Sequence, residues 1–141
     1  MKTIKLFSFI FFLMISANSF AQESTKTGQI YLIRSTGYEG SAVNYSFYVD
    51  DQLVCKLKNK HFSIIDIPAG DHNISVLSGG LSNGKKSAPT LVTVLAGKPN
   101  FVEVVSTQKG EYTNKITATE ITENSAKPIL STLTQKTNCL E

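Results

Sequence analysis

Phe62-Ser63-Ile64-Ile65-Asp66-Ile67-Pro68-Ala69-Gly70-Asp71-His72-Asn73-Ile74-Ser75-Val76-Leu77 places two short apolar runs on either side of tight punctuation. Both runs are rich in β-branched residues, which fit a pleated, half-buried surface. Between them, Pro68 presets φ near about −65°, and Gly70 is free to take the positive φ that such turns need. The stretch therefore predicts two antiparallel strands joined by a short corner. Neither strand is able to bury its apolar face alone, so the rest of the chain must supply partners.

Working outward, strand patterns recur at short spacing. Residues 28–34 hold Ile30, Leu32 and Ile33 around Tyr31, a first strand, and residues 35–42 form a loop with Gly37, Tyr38, Glu39 and Gly40. Residues 43–49 alternate most cleanly, with Val43, Tyr45, Phe47 and Val49 on one face and Asn44, Ser46 and Tyr48 on the other. Asp50-Asp51 turns the chain back into residues 53–57, and Lys58-Asn59-Lys60 leads into the central pair. Residues 78–88 lack an apolar period and read as an open, mobile loop carrying Lys85 and Lys86. Residues 91–95 and 101–105 form a further hairpin around Ala96-Gly97-Lys98-Pro99, and residues 115–121 a last, more polar strand.

The tail changes period. Ala126, Ile129, Leu130 and Leu133 share one helical face, with Asn124 or Ser125 as cap and Pro128 in the first turn. About seven or eight short strands predict a mainly β fold, an antiparallel β-sandwich with one C-terminal helix. The expected division is a leader over residues 1–21, a flexible segment over 22–27, the sandwich over 28–121, and a helix and tail over 122–141.

The leader is a secretory signal peptide in pattern. Met1-Lys2-Thr3-Ile4-Lys5 is positive, residues 6–15 are an almost unbroken apolar run, and Ser19 and Ala21 set a cleavage point between Ala21 and Gln22. The apolar run is far shorter than the ~20 residues a membrane span needs. No Cys follows Ala21 to carry a lipid, so the expected product is periplasmic or extracellular and not lipid-anchored. Export also changes the charge. The leader takes two of the 14 basic residues and no acid, leaving 12 against 11. A near-neutral domain has no net field for nucleic acid or an anionic membrane. Two cysteines remain, Cys55 and Cys139. Cys55 keeps the phase of Leu53 and Leu57, toward the core. In an oxidising compartment the two either bridge, closing a long loop, or stay a buried thiol and a free tail thiol.

Four stretches carry a resemblance: Gly28-Gln29-Ile30-Tyr31-Leu32-Ile33-Arg34, Tyr48-Val49-Asp50-Asp51, Ile67-Pro68-Ala69-Gly70-Asp71-His72 and Leu95-Ala96-Gly97-Lys98. Together they resemble the bacterial envelope family catalogued as domain of unknown function 2846, and are similar to transthyretin-like modules with a Pro-x-Gly corner. The resemblance spans residues 28–105 and implies a β-sandwich in the envelope. It implies no catalytic residues. Where that family commonly has Asp-Gly in the first hairpin, this chain has Asp50-Asp51.

Few residues point to chemistry. Asp66, Asp71 and His72 gather near the central corner, but one His without ligand spacing makes a solvated turn, with Asp71 capping amides, rather than a metal site. A small hydrolase would use His61 or His72, yet no Gly-x-Ser-x-Gly elbow marks a nucleophile. Among Tyr31, Tyr38, Tyr45, Tyr48 and Tyr112, only Tyr38 sits on a Gly-flanked loop suited to stacking. The Asn44-Tyr45-Ser46 and Asn73-Ile74-Ser75 triplets match a glycosylation pattern but fall in strands. The expectation is a non-catalytic envelope protein without cofactor, contacting a protein or glycan through Tyr38, Lys85 and Lys86. A purely structural periplasmic component is the third reading.

Overall fold

Nine strands and one helix make up the computed structural model, which describes residues 26–38, 41–80, 84–108 and 114–140. The leader, its cleavage point at Ala21 and Gln22, and Tyr112 lie outside the described residues. In chain order the elements are β1 (Thr27–Arg34), β2 (Tyr45–Val49), β3 (Gln52–Leu57), β4 (His61–Pro68), β5 (Gly70–Ser78), β6 (Thr90–Val94), β7 (Pro99–Gln108), β8 (Asn114–Ile121), α1 (Glu123–Leu130) and β9 (Thr134–Gln135). They form a β-sandwich of a five-stranded sheet, β8-β7-β1-β4-β9, on a four-stranded sheet, β3-β2-β5-β6. No helix among the described residues is long and apolar enough to cross a membrane.

The central pair does not form a hairpin. β4 lies between β1 and β9 in one sheet, and β5 lies between β2 and β6 in the other. The corner at Pro68-Ala69-Gly70 carries the chain across the sandwich, with Gly70 at φ 141°. Its register is held because the Ala69 amide donates to the Lys26 carbonyl at 2.8 Å. The same correction applies at residues 95–98, where β6 and β7 belong to different sheets. There the crossover packs on Gly28, at which a Cβ would meet the Leu95 carbonyl at 2.5 Å. β1 therefore pairs β4 antiparallel and β7 parallel, so the sandwich is not wholly antiparallel. Val43 also falls outside β2, its carbonyl being taken by the Arg34 guanidinium at 2.6 Å.

Between the sheets lies a core of inward-pointing side chains. Ile30, Leu32, Val102 and Val104 from one sheet meet Phe47, Cys55, Leu57, Ile74, Val76, Val92 and Val94 from the other. A second, smaller cluster covers the outer face of the five-stranded sheet. There α1 lays Ala126, Ile129 and Leu130 over Ile33, Phe101, Tyr31 and Phe62. The Tyr31 ring sits 4.8 Å from that of Phe101. The second half of β1 is thus covered on both faces, which is why Ile30, Tyr31, Leu32 and Ile33 read as an unbroken apolar run.

Thr122 caps α1, not Asn124 or Ser125. It follows β8 directly in extended geometry and accepts from the Ser125 amide at 3.3 Å. Pro128 falls in the second turn rather than the first. The bond it forgoes would reach the Asn124 carbonyl near the exposed N-terminus.

The tail then closes one side of the sandwich. The Thr134 and Lys136 amides donate to the carbonyls of Lys60 (3.1 Å) and Phe62 (2.8 Å), adding β9 parallel to β4. Ser63 Oγ donates to the Lys136 carbonyl at 2.6 Å. Beyond it, the Lys56 amide of β3 donates to the Cys139 carbonyl at 2.8 Å. Cys139 and Cys55 are joined in a disulfide, with Cα atoms 4.5 Å apart and a sequence separation of 84. One short segment therefore stitches the edges of both sheets.

Lys60 holds φ 58°, a left-handed conformation unfavourable for a side chain with a Cβ. Its side chain is exposed, and its backbone bonds to Asn59 and Thr134 survive substitution. Lys60→Gly is expected to stabilise the fold by about 0.5–1 kcal/mol, read as a raised urea midpoint with unchanged slope.

Candidate functional site

The β2–β3 hairpin turns on Asp50 and Asp51, both at positive φ, 48° and 66°. Two successive positive values give the turn twist that matches a right-handed ribbon, and Asp tolerates it better than most side chains. Both carboxylates are put to use. Asp50 Oδ1 accepts from the Asn73 amide at 2.9 Å, and its Oδ2 accepts from His72 Nδ1 at 2.7 Å. His72 Nε2 donates to the Pro68 carbonyl at 2.9 Å. With a carboxylate on one ring nitrogen and a carbonyl on the other, the two acceptors favour the doubly protonated ring of His72.

This pair ties the hairpin tip to the sheet-crossing corner. The Asn73 amide and the His72 ring hold the Asp50 carboxyl below its usual range. The Asp50 bond, outweighing partial burial, holds His72 above the ordinary imidazole value. The signs follow by linkage. His72 contributes stability that is fully present below its unfolded value of 6.5 and is lost as pH rises through its higher folded value. Asp50 contributes stability present above 3.8 and lost as pH falls through its lower folded value. The pair is therefore most stabilising between about pH 4 and 6.5. His72→Gln is expected to flatten the decline of melting temperature above that window, measured by calorimetry across pH 5 to 9 in steps of about one.

Next to it, Asp51 pairs with Lys86 Nζ at 2.8 Å, and the same ammonium lies 4.2 Å from the centre of the Tyr48 ring. Lys86 reaches this position because its segment is bound to β5. The Ser87 amide donates to the Val76 carbonyl at 2.7 Å, and Ser87 Oγ accepts from the Val76 amide at 3.0 Å. Residues 84–89 are thus not the open loop expected. Asp50, Asp51, Asn73, Ser75, Lys86, Ser87 and Pro89 enclose a cleft of about 350 Å³ on the outer face of the four-stranded sheet.

The other expected residues fall elsewhere. Tyr38 is 99% exposed on the loop that leads into the opposite end of β2, so the structure does not bring it together with Lys86. Lys85 is exposed beside Lys86. His61, at the start of β4, uses Nδ1 on the Asn59 carbonyl at 2.8 Å. Asp66 accepts from Gln29 and Asp71 from Thr93 Oγ1, so Asp71 is spent on a side chain rather than on an amide among the described residues, while its charge still favours a protonated His72. Among the described residues no group of three or more His, Cys, Asp or Glu is placed to hold a metal.

Asp50 and Tyr48 carry roles that sequence reading missed. The one available signal was Asp50-Asp51 in a turn where Asp-Gly costs less. No family model, curated protein or solved structure matches the chain.

Proposed function

We propose that the chain is an exported, non-catalytic envelope protein that binds a glycan in the cleft beside the β2–β3 hairpin tip. The cleft's lining carries the reading. Carboxylates, an amide and two hydroxyls converge there from Asp50, Asp51, Asn73, Ser75 and Ser87, the donor and acceptor mix that sugar hydroxyls require. The outer face of Tyr48 is occupied by Lys86, so recognition is by hydrogen bonds rather than ring stacking. The leader pattern and the resemblance to an envelope family support the same compartment. The geometry of His72 favours binding over hydrolysis. Its Nδ1 and Nε2 are both engaged within the fold, by Asp50 Oδ2 and the Pro68 carbonyl, so neither is turned toward a hydroxyl or water.

Nuclear magnetic resonance titration with soluble cell-wall oligosaccharides tests the reading. Saturable shifts at Asn73, Ser75 and Ser87 that vanish in Asn73→Ala support it. In-cell crosslinking adds the partner. Crosslinks through Lys85 and Lys86 to one envelope protein, with no oligosaccharide shift, would replace the glycan with a protein.

A further inference from the structure

A second cavity, of about 330 Å³, opens at the other end of the sandwich, where the tail docks on β4. Asn44, Lys58, His61, Thr134, Gln135 and Lys136 line it. Three of these are basic, three are neutral hydrogen-bonding groups, and none is acidic. The surroundings share this bias despite the near-neutral whole. Between Asp51 and Asp66 the chain carries Lys56, Lys58, Lys60 and His61 and no acid, and residues 131–140 carry Lys136 and no acid. Lys136 Nζ lies 3.4 Å from the Lys56 carbonyl, which places its ammonium at the seam between tail and body. The His61 ring is anchored through Nδ1 to the Asn59 carbonyl.

Several cationic and neutral donors around one space suit a group with many acceptor oxygens and more than one charge. A carboxylate offers two oxygens and a single charge, whereas a phosphate monoester offers more of both. The space exceeds what one phosphate fills, so the group is carried on a small polar body such as a sugar. Half the lining, Thr134, Gln135 and Lys136, belongs to the tail. The tail is held by the β4–β9 ladder and by the Cys55–Cys139 disulfide just beyond it. We propose that this cavity binds a phosphate-bearing small molecule, with Lys58 and Lys136 supplying the charge and His61 a ring nitrogen for hydrogen bonding, and that the disulfide keeps the site assembled.

The test titrates the full oxidised chain with inorganic phosphate, a hexose phosphate and the unphosphorylated hexose, at constant ionic strength, followed by amide and side-chain shifts. Saturable shifts at residues 44, 58, 61 and 134–136 are expected with both phosphates, and none with the bare hexose. Tighter binding of the hexose phosphate assigns the ligand to a phosphorylated sugar; equal binding assigns it to free phosphate. Lys58→Gln/Lys136→Gln is expected to weaken binding about 10-fold or more with an unchanged melting temperature. Reduction with dithiothreitol, with the sandwich resonances retained, is expected to weaken it to a similar extent. No saturable shift with either phosphate, or shifts that the lysine variant leaves intact, overturns the site. Undiminished binding after reduction overturns the role of the disulfide. The site lies at the opposite end from the glycan cleft, so failure of either reading leaves the other standing.

Discussion

Cys139→Ser is expected to destabilise the protein by about 2–4 kcal/mol, read from urea midpoints of the variant and the oxidised parent. The bridge spans 84 residues, and its removal returns most of that loop's freedom to the unfolded chain. Cys139 is the better position to change because it is only partly buried, whereas Cys55 is fully buried in the core. A hydroxyl at residue 55 would add the cost of burying an unpaired polar group and obscure the result. The tail should respond more than the rest of the chain. The amides of Thr134, Lys136 and Lys56 owe their hydrogen bonds to its position, so their exchange protection should fall first. The ladders between β1, β4 and β7 and between β2, β3 and β5 make no use of the tail and should keep theirs. Loss of the tail would also bare the edges of β3 and β4, both otherwise open to pairing with another chain. An unchanged midpoint with protection retained would mean that the β9 bonds and the packing of Leu133 hold the segment without the bridge.

The contrast between elements shows what a chain of this kind makes legible. β2 declares itself because one face meets solvent and the other the core, so Tyr45, Phe47 and Val49 alternate with Ser46 and Tyr48. The sheet assignment of β4 and β5 is not legible. Pro68, Ala69 and Gly70 turn the chain sharply whether the next strand folds back alongside or crosses to the facing sheet. The choice is made by distant partners, β1 for β4 and β2 for β5. β9 is invisible for a different reason: two polar residues, Thr134 and Gln135, have no period, and only the bonds to Lys60 and Phe62 make them a strand. The site follows the same rule. Lys86 stands out in sequence as a charge on a polar stretch, but its carboxylate is 35 residues away. The Asp50–His72 pair arises from β2–β5 register, in which Val49 faces Ile74 and brings the hairpin tip against His72 and Asn73.

Arg34→Met is expected to cost about 2–4 kcal/mol, and the sign of that result decides what a fully buried guanidinium does here. Arg34 has no exposed surface. Its Nη1 donates to the carbonyls of Val43 and Leu57, and the guanidinium lies 3.7 Å from the centre of the Tyr45 ring. Burial lowers its pKa, the mark of a charge held away from water. Methionine fills much of the same volume and removes that desolvation cost, which favours the variant. Against this stand two charge-assisted hydrogen bonds at about 1.5–3 kcal/mol each and a desolvated cation–π contact of about 2 kcal/mol. Both carbonyls would also lose this donor inside the fold. The losses exceed the relief because they fall on three segments at once: the end of β1, the approach to β2 and the end of β3. Arg34→Lys should recover only part of the loss, since a single ammonium lacks the planar fork that stacks on Tyr45 while donating to carbonyls. Urea midpoints of both variants measure the difference, and exchange at residues 35–38 and 41–44 reports whether the loop at that end loosens. A methionine variant as stable as the parent would show that desolvation cancels the contacts, and that Arg34 is kept for the shape of this end of the sandwich rather than for stability.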